Sequence, residues 1–118
     1  FVLGDRELLA QAISNLLDNA IKYTPEGGTI SFRAQRTPET VQIIVTDTGP
    51  GIPEHMRERA KERFFRLDEA RTQAGSGLGL ALVDSVADLH KGDLELLWAS
   101  EIPDPHGLKA VFSLPRER

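Results

Sequence analysis

The order of the hydrophobic patterns along the 118-residue chain constrains its fold more than any other feature. Adjacent apolar pairs recur every four residues from Asp5 to about Tyr23, which predicts an amphipathic helix with Asp5 as its N-cap. A second apolar helix is expected over residues 78–90, with Lys91-Gly92 as its stop. Each helix is followed by two stretches of alternating apolar and polar residues, which predict one hairpin with strands at 29–36 and 40–47 and another with strands at 93–99 and 108–114. Because strand–helix–strand alternation is missing, we expect an α+β sandwich with helices on one face of a mostly antiparallel sheet.

Composition narrows the class of protein. The hydrophobic and charged fractions, 40% and 27%, are those of an ordinary globular domain. No apolar run approaches the roughly 20 residues that span a bilayer, and cysteine is absent, which excludes disulfides and thiolate metal sites. A net charge of −4 argues against a nucleic-acid partner. Because the first residue is Phe1, we expect a fragment of a longer protein.

Three polar residues form a stripe on the first predicted helix. Asn15, Asn19 and Lys22 are spaced so that they lie along one edge of it. An amide oxygen suits Mg²⁺, and a lysine offsets phosphate charge. An ordinary polar helix flank is the alternative interpretation.

The first glycine-rich segment, residues 47–51, begins where a predicted strand ends. The carboxylate of Asp47 can accept a hydrogen bond from the exocyclic amine of adenine. Gly49 and Gly51 allow the backbone to approach a flat base. A plain turn explains this segment equally well.

The second glycine-rich segment, residues 75–79, directly precedes the second helix, where exposed N–H groups favour an anion. The Walker pattern fails because its lysine is missing, and the spacing does not match the dinucleotide-binding motif. A glycine-rich helix start without a ligand is the alternative. Taken together and in this order, the stripe and the two segments indicate an ATP pocket.

Four stretches of the chain resemble the conserved boxes of sensor histidine kinases. They are the N box (15–25), the G1 box (47–53), the F box (62–66) and the G2 box (75–81). The resemblance extends over essentially the whole chain. It implies a catalytic and ATP-binding domain of the Bergerat type over 1–118, with an ATP lid at about 54–75. The implied fold is a two-layer sandwich with a mixed, mostly antiparallel sheet of about five strands on about three helices.

The same resemblance assigns roles to individual residues. The residues implied to bind ATP are Asn15, Asn19, Lys22, Tyr23, Asp47, Gly49, Gly51, Ile52, Phe64, Phe65, Gly75, Ser76, Gly77, Leu78, Gly79 and Leu80. Asn19 would coordinate Mg²⁺, and Phe64 and Phe65 would hold the lid. The residues implied to be catalytic are Asn15, Lys22 and Arg66, the last reaching the γ-phosphate or the phosphoacceptor. In the hydrolysing members of the superfamily a glutamate replaces Asn15 and activates water, whereas an amide cannot take that proton.

The chain departs from the family pattern at three places. Ala60-Lys61 replaces an apolar pair before the F box, so we expect a less firmly anchored lid. His90 resembles the histidine of the family's H-G-G, but Lys91 follows it. Lys109-Ala110 replaces small hydroxyl residues near the last strand.

The resemblance also implies partners. The phosphoacceptor histidine would lie on a separate dimerisation domain absent from this fragment, which should be monomeric and nearly inert alone. A response regulator would receive the phosphoryl group. We expect a cytoplasmic domain without direct membrane contact, since many such kinases are membrane-anchored with this domain on the cytoplasmic side. One alternative is a degenerate module that binds nucleotide as a switch. Asn15 argues against an ATPase, and the complete F box argues against a serine kinase of the same superfamily.

Overall fold

A four-stranded sheet with two long helices on one face makes up the described part of the chain. The computed structural model describes residues 5–62, 79–101 and 104–116. Its elements are α1 (Arg6–Tyr23), β1 (Ile30–Arg36), β2 (Thr40–Asp47), α2 (Arg57–Ala60), α3 (Gly79–Leu89), β3 (Asp93–Ser100) and β4 (His106–Pro115). A short 3₁₀ helix, Glu54–Met56, leads into α2. None of the helices in these residues is long and apolar enough to cross a membrane.

Helix α1 begins and ends where its sequence predicts. The Asp5 side chain accepts a hydrogen bond from the backbone N–H of Leu8, so Asp5 is the predicted N-cap. The helix ends at Thr24, whose extended backbone is the conformation favoured before Pro25. Its buried face points into the core through Ala12, Leu16 and Ala20.

The sheet confirms both predicted hairpins and adds an order that local patterns did not contain. Strands β1 and β2 pair in antiparallel fashion, as do β3 and β4. Strand β4 also pairs with β2, so the order across the sheet is β1-β2-β4-β3. The expectation of about five strands in a mixed sheet is corrected to four strands, all antiparallel, in the described residues. The reason is that the sequence contains four alternating stretches, and only the family resemblance implied a fifth strand.

The core lies between the helices and one face of the sheet. Alternate residues of β2, β3 and β4 contribute to it, with Phe112 and Leu94 almost completely buried. Val83 and Ala87 of α3 pack into the same cluster. The helices therefore form one layer of a two-layer sandwich and the sheet forms the other, as the hydrophobic pattern predicted.

Helix α3 ends in a Schellman motif, in agreement with the predicted stop. The N–H of Gly92 donates to the Ala87 carbonyl at 2.7 Å, and the N–H of Lys91 donates to the Asp88 carbonyl at 3.0 Å. Lys91 has the left-handed conformation that this motif requires, with φ of 62°. A non-glycine residue at this backbone conformation is strained.

His90 ties the C-terminus of α3 to the N-terminus of α1. Its Nδ1 faces the Val86 carbonyl at 2.8 Å, and its Nε2 accepts the backbone N–H of Asp5 at 3.0 Å. These partners place the proton on Nδ1 and leave Nε2 as the acceptor. The histidine of the H-G-G resemblance is therefore a structural link between two helix ends.

Candidate functional site

Asp47 is the one buried charged side chain among the residues that the structure describes, with 3% of its surface exposed. It is the last residue of β2. Its Oδ1 accepts backbone N–H groups from Gly49 at 2.8 Å and from Leu108 at 3.3 Å. Both hydrogen bonds end on Oδ1, so these residues leave Oδ2 for an external donor. A buried carboxylate held by two backbone donors is oriented before any ligand arrives.

The loop after Asp47, residues 48–53, is here termed the G1 loop. Gly49 lies so close to the Tyr23 carbonyl that an added Cβ would overlap it. This contact brings the C-terminal turn of α1 against the loop. Thr48 fixes the other side, because its hydroxyl accepts the Thr29 N–H at 2.9 Å. The sequence-predicted end of α1 and the predicted adenine segment are therefore neighbours.

Gly107 is the second close-packed glycine beside Asp47, after Gly49, and the strand predicted from the sequence begins only after it. Its N–H donates to the Gly49 carbonyl at 2.9 Å. Its φ is 72°, and an added Cβ would overlap the Asp47 carbonyl. Gly107 is the second residue of β4, whereas the alternating pattern begins this strand at residue 108, so no local sequence signal marked its role.

The remainder of the G1 loop packs against β3 and α2. Gly51 has φ of 78° and lies against the ring of Trp98. Ile52 is 2% exposed, and its carbonyl accepts a hydrogen bond from Arg57 Nε at 3.0 Å. The loop is thus held at both of its ends and in its middle.

The polar stripe occupies the expected edge of α1. Asn15 and Asn19 are half-buried, while Lys22 is exposed. Lys22 Nζ lies 6.0 Å from the centre of the Tyr23 ring. Through the contact of Tyr23 with Gly49, the structure places Lys22 and Tyr23 beside the G1 loop, with Asn19 and Asn15 one and two turns earlier.

The G2 glycines and the F box are described only at their edges. Gly79 begins α3 with open space where a Cβ would stand, and Leu80 packs into the core. The site residues Phe64, Phe65, Arg66, Gly75, Ser76, Gly77 and Leu78 lie outside the described residues.

At the start of the predicted lid, Ala60 and Lys61 stand where the family pattern has an apolar pair. Ala60 is buried in the core, and the Lys61 side chain is 15% exposed, with Nζ 3.4 Å from Glu58. Lys61 is also near enough to Asp84 of α3 to interact with its charge. The pKa of Asp84 is raised above its ordinary value because burial removes solvent, and Asp88, Glu58 and Asp93 add to the rise while Lys61 opposes it. The weaker anchoring of the lid stays a prediction.

Few side chains in the described residues are placed to bind a metal ion together. Within residues 5–62, 79–101 and 104–116, no three His, Cys, Asp or Glu side chains come together as a metal site. The amide of Asn19 is the donor that the sequence singled out, and it fits a Mg²⁺ that keeps several waters and shares phosphate oxygens.

Comparison with known proteins identifies the family. A family model described as histidine kinase-, DNA gyrase B- and HSP90-like ATPase matches residues 4–118. The chain belongs to this family. The family assignment agrees with the α+β fold and with the resemblance of the four boxes.

Relatives and solved structures place the chain among sensor histidine kinases of this family. The adaptive-response sensory kinase SasA of Rippkaea orientalis is 45% identical over 115 residues, which cover 97% of this chain and 28% of the relative. The chain therefore spans little more than a quarter of that kinase. The structure of the mycobacterial sensor histidine kinase MprB matches with a TM-score of 0.87 and 43% identity, covering 97% of this chain and 76% of that one. Full-length ShkA in complex with AMPPNP matches with a TM-score of 0.78 and 30% identity, covering 97% of this chain and 22% of that one.

Proposed function

We propose that this chain binds Mg-ATP and donates the γ-phosphoryl group to a histidine on a separate dimerisation domain. The observation that carries the proposal is the buried Asp47 carboxylate, whose Oδ1 is held by two backbone N–H groups while Oδ2 has no partner among the described residues. An exocyclic amine such as that of adenine is a donor for Oδ2, whereas the carbonyl that guanine carries at the same ring position is an acceptor.

The backbone around Asp47 is fixed before a base arrives. Gly49 packs on the Tyr23 carbonyl and Gly107 packs on the Asp47 carbonyl, each too closely for a Cβ, and the two glycine backbones are hydrogen-bonded to each other. The family resemblance to a structure with AMPPNP supports an adenine nucleotide as the ligand. The proposed contacts of Gly51 and Ile52 with the base follow from their place in the same loop.

The phosphates would extend toward the polar stripe of α1. Lys22 supplies a mobile positive charge there, and Tyr23 lies between it and the G1 loop. Asn19 would hold Mg²⁺ through its amide oxygen, and the ion would neutralise charge on the transferred group. The role of this chain's residues is positioning and neutralisation, because phosphoryl transfer leaves little covalent chemistry to the protein. The proposed roles of Phe64, Phe65, Arg66 and the G2 residues 75–78 depend on residues outside the described part.

The rest of the reaction requires other domains. Asn15 cannot act as the base that activates water, so slow hydrolysis preserves the phosphoryl group for a histidine. The relatives are sensor kinases much longer than this chain. We place this domain in the cytoplasm as the ATP-binding part of a two-component kinase, with a dimerisation domain and a response regulator as partners.

Calorimetry with Mg-ATP tests the proposal. We expect wild-type protein to bind ATP and not GTP. Asp47→Asn should weaken ATP binding by about 10- to 150-fold, since a hydrogen bond to a charged group contributes about 1.5–3 kcal/mol. Asp88→Asn, the same change at an exposed position of α3, is the matched control and should bind like wild type. A folded wild-type chain that does not bind ATP would refute the proposal.

Phosphoryl transfer requires a second assay. A dimerisation domain from a relative is mixed with the chain and γ-labelled ATP, and label on the acceptor histidine is measured. We expect acid-labile label that depends on this chain. Tight ATP binding without transfer to any supplied acceptor would favour a nucleotide-binding switch.

A further inference from the structure

We propose that Arg57 and Trp98 act together as positioning residues that set the shape of the G1 loop for nucleotide binding. This inference rests on the proposed function, because it concerns the affinity of the same site. Neither residue belongs to the four boxes that the sequence analysis singled out, although Arg57 lies in the predicted lid at about 54–75. They come from α2 and β3, and both meet the loop that follows Asp47.

Trp98 limits where the middle of the loop can lie. A Cβ added to Gly51 would stand 2.7 Å from Cζ3 and 2.9 Å from Cε3 of the indole ring. The ring therefore rests directly on the Gly51 backbone, whose φ of 78° already excludes most side chains. Trp98 is itself fixed by the sheet, since it pairs with Leu108 of β4. The backbone N–H of Leu108 is one of the two donors to Asp47.

Arg57 joins the next residue of the loop to the same ring. Its Nε donates to the Ile52 carbonyl at 3.0 Å, and its guanidinium carbon lies 5.3 Å from the centre of the Trp98 ring. This distance is within the range of a cation–π interaction. Its guanidinium makes no ion pair in the part of the chain described, and its Nη2 is buried without a hydrogen-bond partner there. The loop and the ring are thus the contacts that hold this charge in place.

The consequence is a loop that is ordered before the nucleotide arrives. Binding to a preorganised loop avoids the cost of ordering it. Removing the Arg57 guanidinium loses one hydrogen bond to the loop and one contact with the ring. We expect the affinity for Mg-ATP to fall about tenfold, which corresponds to about 1.4 kcal/mol.

Calorimetry of the whole chain with Mg-ATP tests this inference. The variants are Arg57→Met, which keeps most of the aliphatic part of the side chain, and Trp98→Phe, which keeps an aromatic ring that is smaller than the indole. Arg33→Met is the matched control, because Arg33 is exposed on β1 at the opposite edge of the sheet. We expect about tenfold weaker binding for the first two variants and wild-type affinity for the control.

The emission of Trp98 provides a readout that general destabilisation does not produce. Trp98 is the sole tryptophan of the chain, so its fluorescence reports on the Gly51 contact without labelling. In wild type, Mg-ATP should change the emission along the same saturation curve as the calorimetric heat, and GTP should not change it. In Arg57→Met the emission change at saturating ATP should differ from wild type although the melting temperature is similar.

Each outcome decides the inference. Wild-type binding of ATP together with affinities of Arg57→Met and Trp98→Phe within twofold of wild type would overturn it and leave the proposed function intact. A wild-type chain that does not bind ATP would refute both. If Arg57→Met does not fold, Arg57→Lys replaces it. The lysine keeps a charge near the ring but has no Nε–H to donate to Ile52, so an intermediate affinity is expected.

Discussion

Lys91 is the residue at which a single substitution should most clearly increase stability. It occupies the left-handed position of the Schellman motif that ends α3, with φ of 62°. Glycine adopts this conformation without the steric penalty that a Cβ brings. The Lys91 side chain is exposed, so few packing contacts are lost on its removal.

The expected magnitude follows from comparing alanine and glycine at this position. A Cβ in the left-handed region costs about 1–2 kcal/mol, whereas glycine loses about 0.4–1 kcal/mol through the greater freedom of the unfolded chain. Lys91→Gly should therefore be more stable than Lys91→Ala by about 0.5–1 kcal/mol. The stability advantage of Lys91→Gly over wild type should be about 0.3 kcal/mol smaller than its advantage over Lys91→Ala. The reason is that the wild-type lysine, near a helix C-terminus, interacts favourably with the helix dipole.

The corresponding shift in melting temperature is measurable. With an unfolding entropy of about 2.1 cal/mol/K per residue, 118 residues give about 0.25 kcal/mol/K. A difference of about 0.5–1 kcal/mol then corresponds to about 2–4 °C. Urea unfolding followed by circular dichroism measures the free energy directly.

Gln11 provides the control with the opposite sign. It is exposed in the interior of α1, where alanine should be more stable than glycine by about 0.5–1 kcal/mol. The decisive comparison is the sign of the alanine-to-glycine difference at the two positions. If glycine were the less stable residue at both, the interpretation of Lys91 as strained would be wrong.

Three further substitutions test other parts of the structure. Gly107→Ala should destabilise the chain by about 2–4 kcal/mol, because the Cβ would overlap the Asp47 carbonyl at a positive φ; unchanged urea unfolding would contradict this. Asp84→Asn should be more stable than wild type at pH 7. Because burial raises the pKa of Asp84 in the folded state, wild-type stability falls as pH rises from the ordinary value of 3.8 through the raised pKa. The stability gain of Asp84→Asn over wild type should therefore shrink as the pH falls toward 4. A gain that does not depend on pH would show that burial of the ionised carboxylate is not its cause. His90→Leu should cost about 1 kcal/mol and speed amide hydrogen exchange at Asp5, whereas unchanged exchange would exclude the His90 link.

Local features of the fold were predictable because they depend on residues close in sequence. The four-residue repeat and the Asp5 cap located α1, and the alternation in β2 located a strand with its core-facing residues. The stop at Lys91-Gly92 followed from the glycine at the end of an apolar helix. Asp47 could be proposed as a site residue because it stands between a strand and a glycine-rich turn.

Contacts between distant parts of the chain were not predictable in this way. The insertion of β4 between β2 and β3 depends on pairings such as Ile43 with Phe112, which no local pattern specifies. The same insertion brings Gly107 against Asp47 and places the Leu108 N–H on its carboxylate. These residues gain their roles from neighbours some sixty positions away.

The sequence by itself determined the helices, the two hairpins and the motifs that indicate a nucleotide site, because periodicity, caps and turn residues act over a few positions. The tertiary structure decided the strand order, the orientation of Asp47 and the support of the G1 loop by Arg57 and Trp98. The physical reason is that a buried carboxylate and a close-packed loop are specified by backbone donors and by space, and both come from chain segments that meet only after folding.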